Sequence, residues 1–146
     1  MKSRQKITRI QLETEARNDF SLLGIVSAEP DYRLSLSINR VLRISLKNDT
    51  PLEVTGLNSQ GLHFSRFSDH TSAREIFWHL ISNKSGKDFL IGKLKKIDYL
   101  FQVYSPENVF DITAISASLR VIDTITAVFL LDIDEIKDKN IQYLIP

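Results

Sequence analysis

The chain has no cysteine. That excludes disulfides, thiolate nucleophiles and Cys-ligated metal centres, and it suits a reducing compartment. Glycine is scarce, with 5 residues in 146, and the glycine-dependent motifs are missing. Without GxxxxGK[ST], GxGxxG or GxSxG, neither a nucleotide loop nor a nucleophile elbow has support. No sign of charge dominates. Lys and Arg number 19 against 18 Asp and Glu, a formal net charge of +1, so no global field points to nucleic acid or acidic lipid. The apolar runs fall well short of the ~20 residues that a membrane helix needs. Met1-Lys2-Ser3-Arg4-Gln5-Lys6 is followed by no apolar h-region. A secretory leader is therefore not expected, and the cytoplasm is the expected location. Internal repeats and low-complexity tracts are also lacking.

What remains is an ordinary globular composition. Hydrophobic residues make up 42% and charged residues 25%, close enough to the average to argue against disorder. A chain of this length buries roughly 68–70% of its unfolded surface, enough for a core without staples. One domain over residues 1–146 is expected.

The stretch from Phe89 to Tyr104 organises the rest. Ile97, Tyr99, Phe101 and Val103 alternate with Asp98, Leu100, Gln102 and Tyr104. Period two places the first set on one strand face and the second on the other. The first set is wholly apolar or aromatic and the second half so, which fits a central strand covered on one side and partly covered on the other. Gly92 and the lysines 93, 95 and 96 form the loop that feeds it.

Before this stretch, Lys6 to Glu13 alternates as an edge strand would, and Thr14 to Asn18 is loop-like. Phe20 to Ser27 reads as a short helix behind an Asp19 cap, with a strand as the rival. Asp31 caps a helix whose apolar residues Leu34, Ile38, Val41 and Leu42 form a stripe ending near Arg43. Lys47 to Pro51 is a turn. A meander follows: strands at Leu52–Leu57, Leu62–Ser68 and Arg74–Ser82, then a turn over Asn83 to Lys87. After the central strand, Ser105-Pro106-Glu107 starts a helix that runs to about Val121. Ile125 to Leu131 is apolar on both faces and reads as an interior strand. Asp132 to Ile145 is expected to hold a terminal helix. The order predicts an α+β two-layer sandwich, a mainly antiparallel sheet with its helices on one face.

Candidate chemistry is thin. His63, His70 and His79 lack HxH or HExxH spacing. They read as strand histidines, and no metal or cofactor is expected. Phe64, Phe67, Phe77, Trp78, Tyr99 and Phe101 would suit an RNA stacking platform with lysines beside it. No RNP-like motif accompanies them, and strand aromatics are normally core. The candidate ligand-binding set is Arg33, Asp98 and Tyr99. Arg33 would take an anion or Asp98 act as a base. The structural alternative is that Arg33 and Asp98 pair, or find backbone partners, since buried charges need them.

One family resemblance rests on Ile91-Gly92-Lys93-Leu94-Lys95-Lys96-Ile97-Asp98-Tyr99. It resembles the signature of the bacterial IPExxxVDY family. Ile91, Asp98 and Tyr99 match, Ile97 replaces Val, and Gly92 and Lys93 stand where Pro and Glu would be. Leu22-Leu23-Gly24-Ile25, Asp31-Tyr32-Arg33-Leu34, Asn39 and Leu80-Ile81-Ser82-Asn83-Lys84 extend the likeness in the same order. The resemblance implies a shared fold and no activity, cofactor or catalytic residue.

Together these readings favour a non-catalytic binding or regulatory module that acts through protein contacts. The expected partner is another protein, a second copy of the chain included, rather than nucleic acid or membrane. The alternatives are a small-ligand sensor with a pocket between sheet and helices, or an enzyme of unrecognised type.

Overall fold

The computed structural model describes residues 20–55, 61–71, 75–107 and 109–145. The strand expected over Lys6 to Glu13 and the loop after it lie outside these residues. In chain order the elements are β1 (Phe20–Ser27), α1 (Asp31–Leu42), β2 (Lys47–Thr55), β3 (Gly61–Asp69) and β4 (Phe77–Ser82). A small hairpin of β5 (Lys84–Ser85) and β6 (Asp88–Phe89) follows, then β7 (Tyr99–Tyr104), α2 (Ile112–Arg120), β8 (Ile125–Leu131) and a 3₁₀ helix (Lys139–Leu144). Six strands form one antiparallel sheet in the order β2-β3-β4-β7-β1-β8.

β7 lies inside the sheet, between β4 and β1, as the Phe89 to Tyr104 pattern predicts. Tyr99, Phe101 and Val103 join Leu23, Ile25 and Leu80 on one face. There α1 packs Leu34 and Ile38, and α2 packs Ile115 and Leu119. Leu22, Ile81 and Leu100 occupy the other face, beneath Leu90, Ile91, Ile97, Ile141 and Leu144. The two α-helices of the described residues thus sit on one side, and irregular chain with the 3₁₀ helix closes the other. Ile97 departs from the expected alternation, because it precedes the strand and packs on the second face. Gly24 of β1 makes room for it. A Cβ there would come within 2.9 Å of Ile97 Cδ1.

Five expectations are corrected. Phe20 to Ser27 is a strand, because its residues are buried on both faces rather than along one helical stripe. Lys47 to Pro51 belongs to β2, which absorbs Pro51 in an irregularity between Asp49 and Leu52; Pro cannot donate to a regular ladder. The second helix starts at Asp111 and not at Ser105. The Asp111 carboxylate accepts from the N–H groups of Thr113 and Ala114 at 3.0 and 3.2 Å, which caps the first turn. β8 is at the edge of the sheet, paired with β1 alone among the described residues. Finally, Asp132 to Ile145 forms turns and a 3₁₀ helix. Asp132 and Asp138 accept from the backbone two residues on, the local bonding that competes with an α-helix. Among the described residues no helix is long and apolar enough to cross a membrane.

Candidate functional site

Asp98 and Tyr99 enter β7 beside the end of β1. Asp98 Oδ1 pairs with Lys84 Nζ at 2.6 Å, and its Oδ2 accepts from the Ser27 N–H at 2.9 Å. The Tyr99 hydroxyl donates to the Glu29 carbonyl at 2.5 Å. Burial pushes the Tyr99 phenol up to about 12, with the negative charges of Asp31, Asp98 and Glu29 adding to it. These residues line a cleft of about 490 Å³ with Ser82 and Pro30. Arg33 is elsewhere, exposed on α1, and the cation beside Asp98 is Lys84. Lys84, Asp98 and Tyr99 already have protein partners, so the geometry gives them the work of joining β1, β7 and the 28–30 turn.

Asn83, which the sequence marks only as a turn residue, fixes the loop that precedes β7. It is fully buried. Its Nδ2 donates to the carbonyls of Leu94 at 2.9 Å and Ile97 at 3.0 Å, and its Oδ1 accepts from the Ile91 N–H at 2.8 Å. Asn39 does a similar job at the exit of α1, bonding both N–H and C=O of Leu46. Two Asn side chains therefore replace the ladder bonds that irregular backbone lacks.

The histidines separate. His63 is exposed on β3, whereas β-pairing sets His79 opposite Ser68. Ser68 Oγ lies 2.7 Å from His79 Nδ1. His70, just beyond β3, packs edge-on against His79 and Phe77. Burial lowers the His79 pKa to about 4, and the His70 and Arg66 charges act in the same direction. A hydrogen bond from Ser68 is the main cause that holds Asp49 below the usual carboxylate range.

A larger feature runs along β8. Ile125 to Leu131 carries no charge, and Phe129 and Leu130 are 50% and 61% exposed. The opposite edge, β2, is protected by Pro51, a register break and charged Lys47, Asp49 and Glu53. Those are devices that keep sheet edges from pairing; β8 has neither proline nor charge of its own, its register with β1 breaks only near Thr126 at its start, and Arg120 donates to its Val128 carbonyl at 3.2 Å. Beside β8 opens a groove of about 790 Å³. Leu94, Ile97, Phe129 and Ile136 give it apolar walls, and its charged lining is Lys93, Lys95 and Lys96 with Asp132 and Glu135. It opens on the face away from the α-helices, where Ile97 and Ile136 pack. The sequence showed the apolar run of β8 but not that, among the described residues, it would pair on one side alone. No family model, curated protein or solved structure matches the chain.

Proposed function

We propose that the protein is a non-catalytic binding module that takes an extended segment of a partner protein along β8. The observation that carries this reading is the uncharged edge strand with Phe129 and Leu130 exposed beside the groove. Strand addition lets a free edge supply main-chain hydrogen bonds while alternate side chains enter neighbouring pockets. The groove favours apolar side chains, and Lys93, Lys95 and Lys96, which outnumber Asp132 and Glu135 in its lining, favour acidic residues beside them. The preferred occupant is thus a short peptide of alternating apolar and acidic residues. The likeness to the IPExxxVDY family adds no chemistry to this reading.

Peptide display selected against the full chain tests it. Selected peptides should be acidic and apolar, lose roughly tenfold or more in affinity against Leu130→Lys, and weaken with added salt. Peptides that bind Leu130→Lys equally well would reject the β8 site. Concentration-dependent dimers in sedimentation, abolished by the same variant, would instead give the edge to a second copy of the chain.

A further inference from the structure

The corner where β2, β3 and β4 meet brings together residues that are far apart in sequence. Asp49 lies on β2 at the irregularity, His70 follows β3, and His79 lies on β4. One donor atom from each falls within 4.8 Å of the others. We propose that Asp49, His70 and His79 bind a divalent transition cation of the Zn²⁺ type.

The donor set fixes the class of ion. Two imidazoles and one carboxylate suit borderline cations, whereas Mg²⁺ and Ca²⁺ call for oxygen ligands. Three protein donors leave a fourth tetrahedral position for water. Metal–ligand lengths of ~2.0–2.2 Å would place the donors roughly 3.3–3.6 Å apart, so the set must close by about 1 Å. His70 is exposed beyond the end of β3, and Asp49 sits where the β2 register breaks. Both are placed to move that far without disturbing the core.

Ser68 supplies the supporting contact. Its Oγ is 2.7 Å from His79 Nδ1, and its hydroxyl also bonds Asp49. Outer contacts of this kind orient metal ligands. A cleft of about 230 Å³, lined by Lys47, Asn48, Asp49, Ser68 and His70, provides an approach. Arg66 opposes the ion, since its Nε lies 3.7 Å from Asp49 Oδ2. It also donates to the Thr50 carbonyl at 2.9 Å, an anchor it keeps if a cation displaces it from Asp49. Lys47 adds a second positive charge to the cleft wall, so binding weaker than at a closed structural zinc site is expected.

The test is calorimetric titration of the chelator-treated full chain with ZnCl₂, with Co²⁺ absorption as a second probe of geometry. Single-site binding is expected. His70→Ala and Asp49→Asn should each weaken it at least about tenfold, while His63→Ala, an exposed histidine outside the cluster, leaves it unchanged. Arg66→Met should tighten it. Because His70 is exposed, His70→Ala is expected to fold, and a circular-dichroism melt checks this. Absence of binding, binding that survives His70→Ala, or equal loss on His63→Ala would each overturn the site.

Discussion

The carboxylate of Asp98 pairs with Lys84, Nζ to Oδ1 at 2.6 Å, and not with Arg33. The Lys84 side chain is 43% exposed, so solvent screens much of the attraction. A double-mutant cycle with Lys84→Ala and Asp98→Ala should give a coupling of roughly 0.2–1 kcal/mol that shrinks in high salt. The Arg33→Ala and Asp98→Ala losses should be additive. A coupling between Asp98 and Arg33 larger than that with Lys84 would contradict the observed pair.

Asn83 has greater leverage. Asn83→Ala removes three side-chain hydrogen bonds and strands the Ile97 carbonyl and the Ile91 N–H, while the Leu94 carbonyl keeps the Ile97 N–H. Each buried orphan costs ~1–3 kcal/mol, so urea melts should show a total loss of about 2 kcal/mol or more. Asn83→Asp should fare no better, because an acceptor would then face two carbonyls. A loss under about 1 kcal/mol would mean that the loop is held by packing alone.

Tyr99 sets a pH dependence. Its folded pKa is raised to about 12 from 10.0, so the native state holds its proton where the unfolded chain releases it. The resulting stability is complete below pH 10 and is lost as pH rises through 12. A two-unit shift corresponds to at most about 3 kcal/mol. Tyr99→Phe should flatten this part of the stability curve, as measured by denaturant melts between pH 9 and pH 12. Unchanged curvature would show that another group is responsible.

Ile115 tests the register of α2. It is buried in the core under the sheet, and Ile115→Ala should cost ~2–5 kcal/mol. Val121, one residue past the helix and 73% exposed, should lose less than about 0.5 kcal/mol on change to Ala. Equal losses at the two positions would place α2 in the wrong rotation.

The legible parts of the fold were those written in local periodicity. Leu34 and Ile38 announced α1, and Tyr99, Phe101 and Val103 announced the central strand. The sandwich followed from element order. Harder to read was anything decided by a distant neighbour. Phe20, Leu23 and Val26 looked compatible with a helix because the strands on either side, β7 and β8, come much later in the chain. β8 looked interior because its residues are apolar, yet apolar composition does not reveal whether both faces are covered. The pairing of Asp98 was hidden for the same reason. Asp98 was read with Arg33 or with backbone partners; the Ser27 N–H meets the second reading, and β-pairing with the β5–β6 hairpin delivers Lys84 in place of Arg33. His79 was weighed with His63, while the register sets it opposite Ser68 and near His70. Spacing rules detect ligands on one element, and this cluster draws on three separate segments.

The strand order also shapes how the chain reaches its fold. β1 is made early, but its two sheet neighbours, β7 and β8, come near the end of the described residues. The bond from the Ser27 N–H to Asp98 spans 71 residues. A growing chain can close the β2-β3-β4 meander well before β1 has anything to pair with. Leu22, Leu23 and Ile25 must therefore wait as an unpaired apolar strand during synthesis, the kind of segment that invites aggregation and holdase chaperones. Closing so distant a pairing is slow, because loop entropy is lost before the contacts form. The insertion of β1 beside β7 is expected to be the late, rate-setting event of folding.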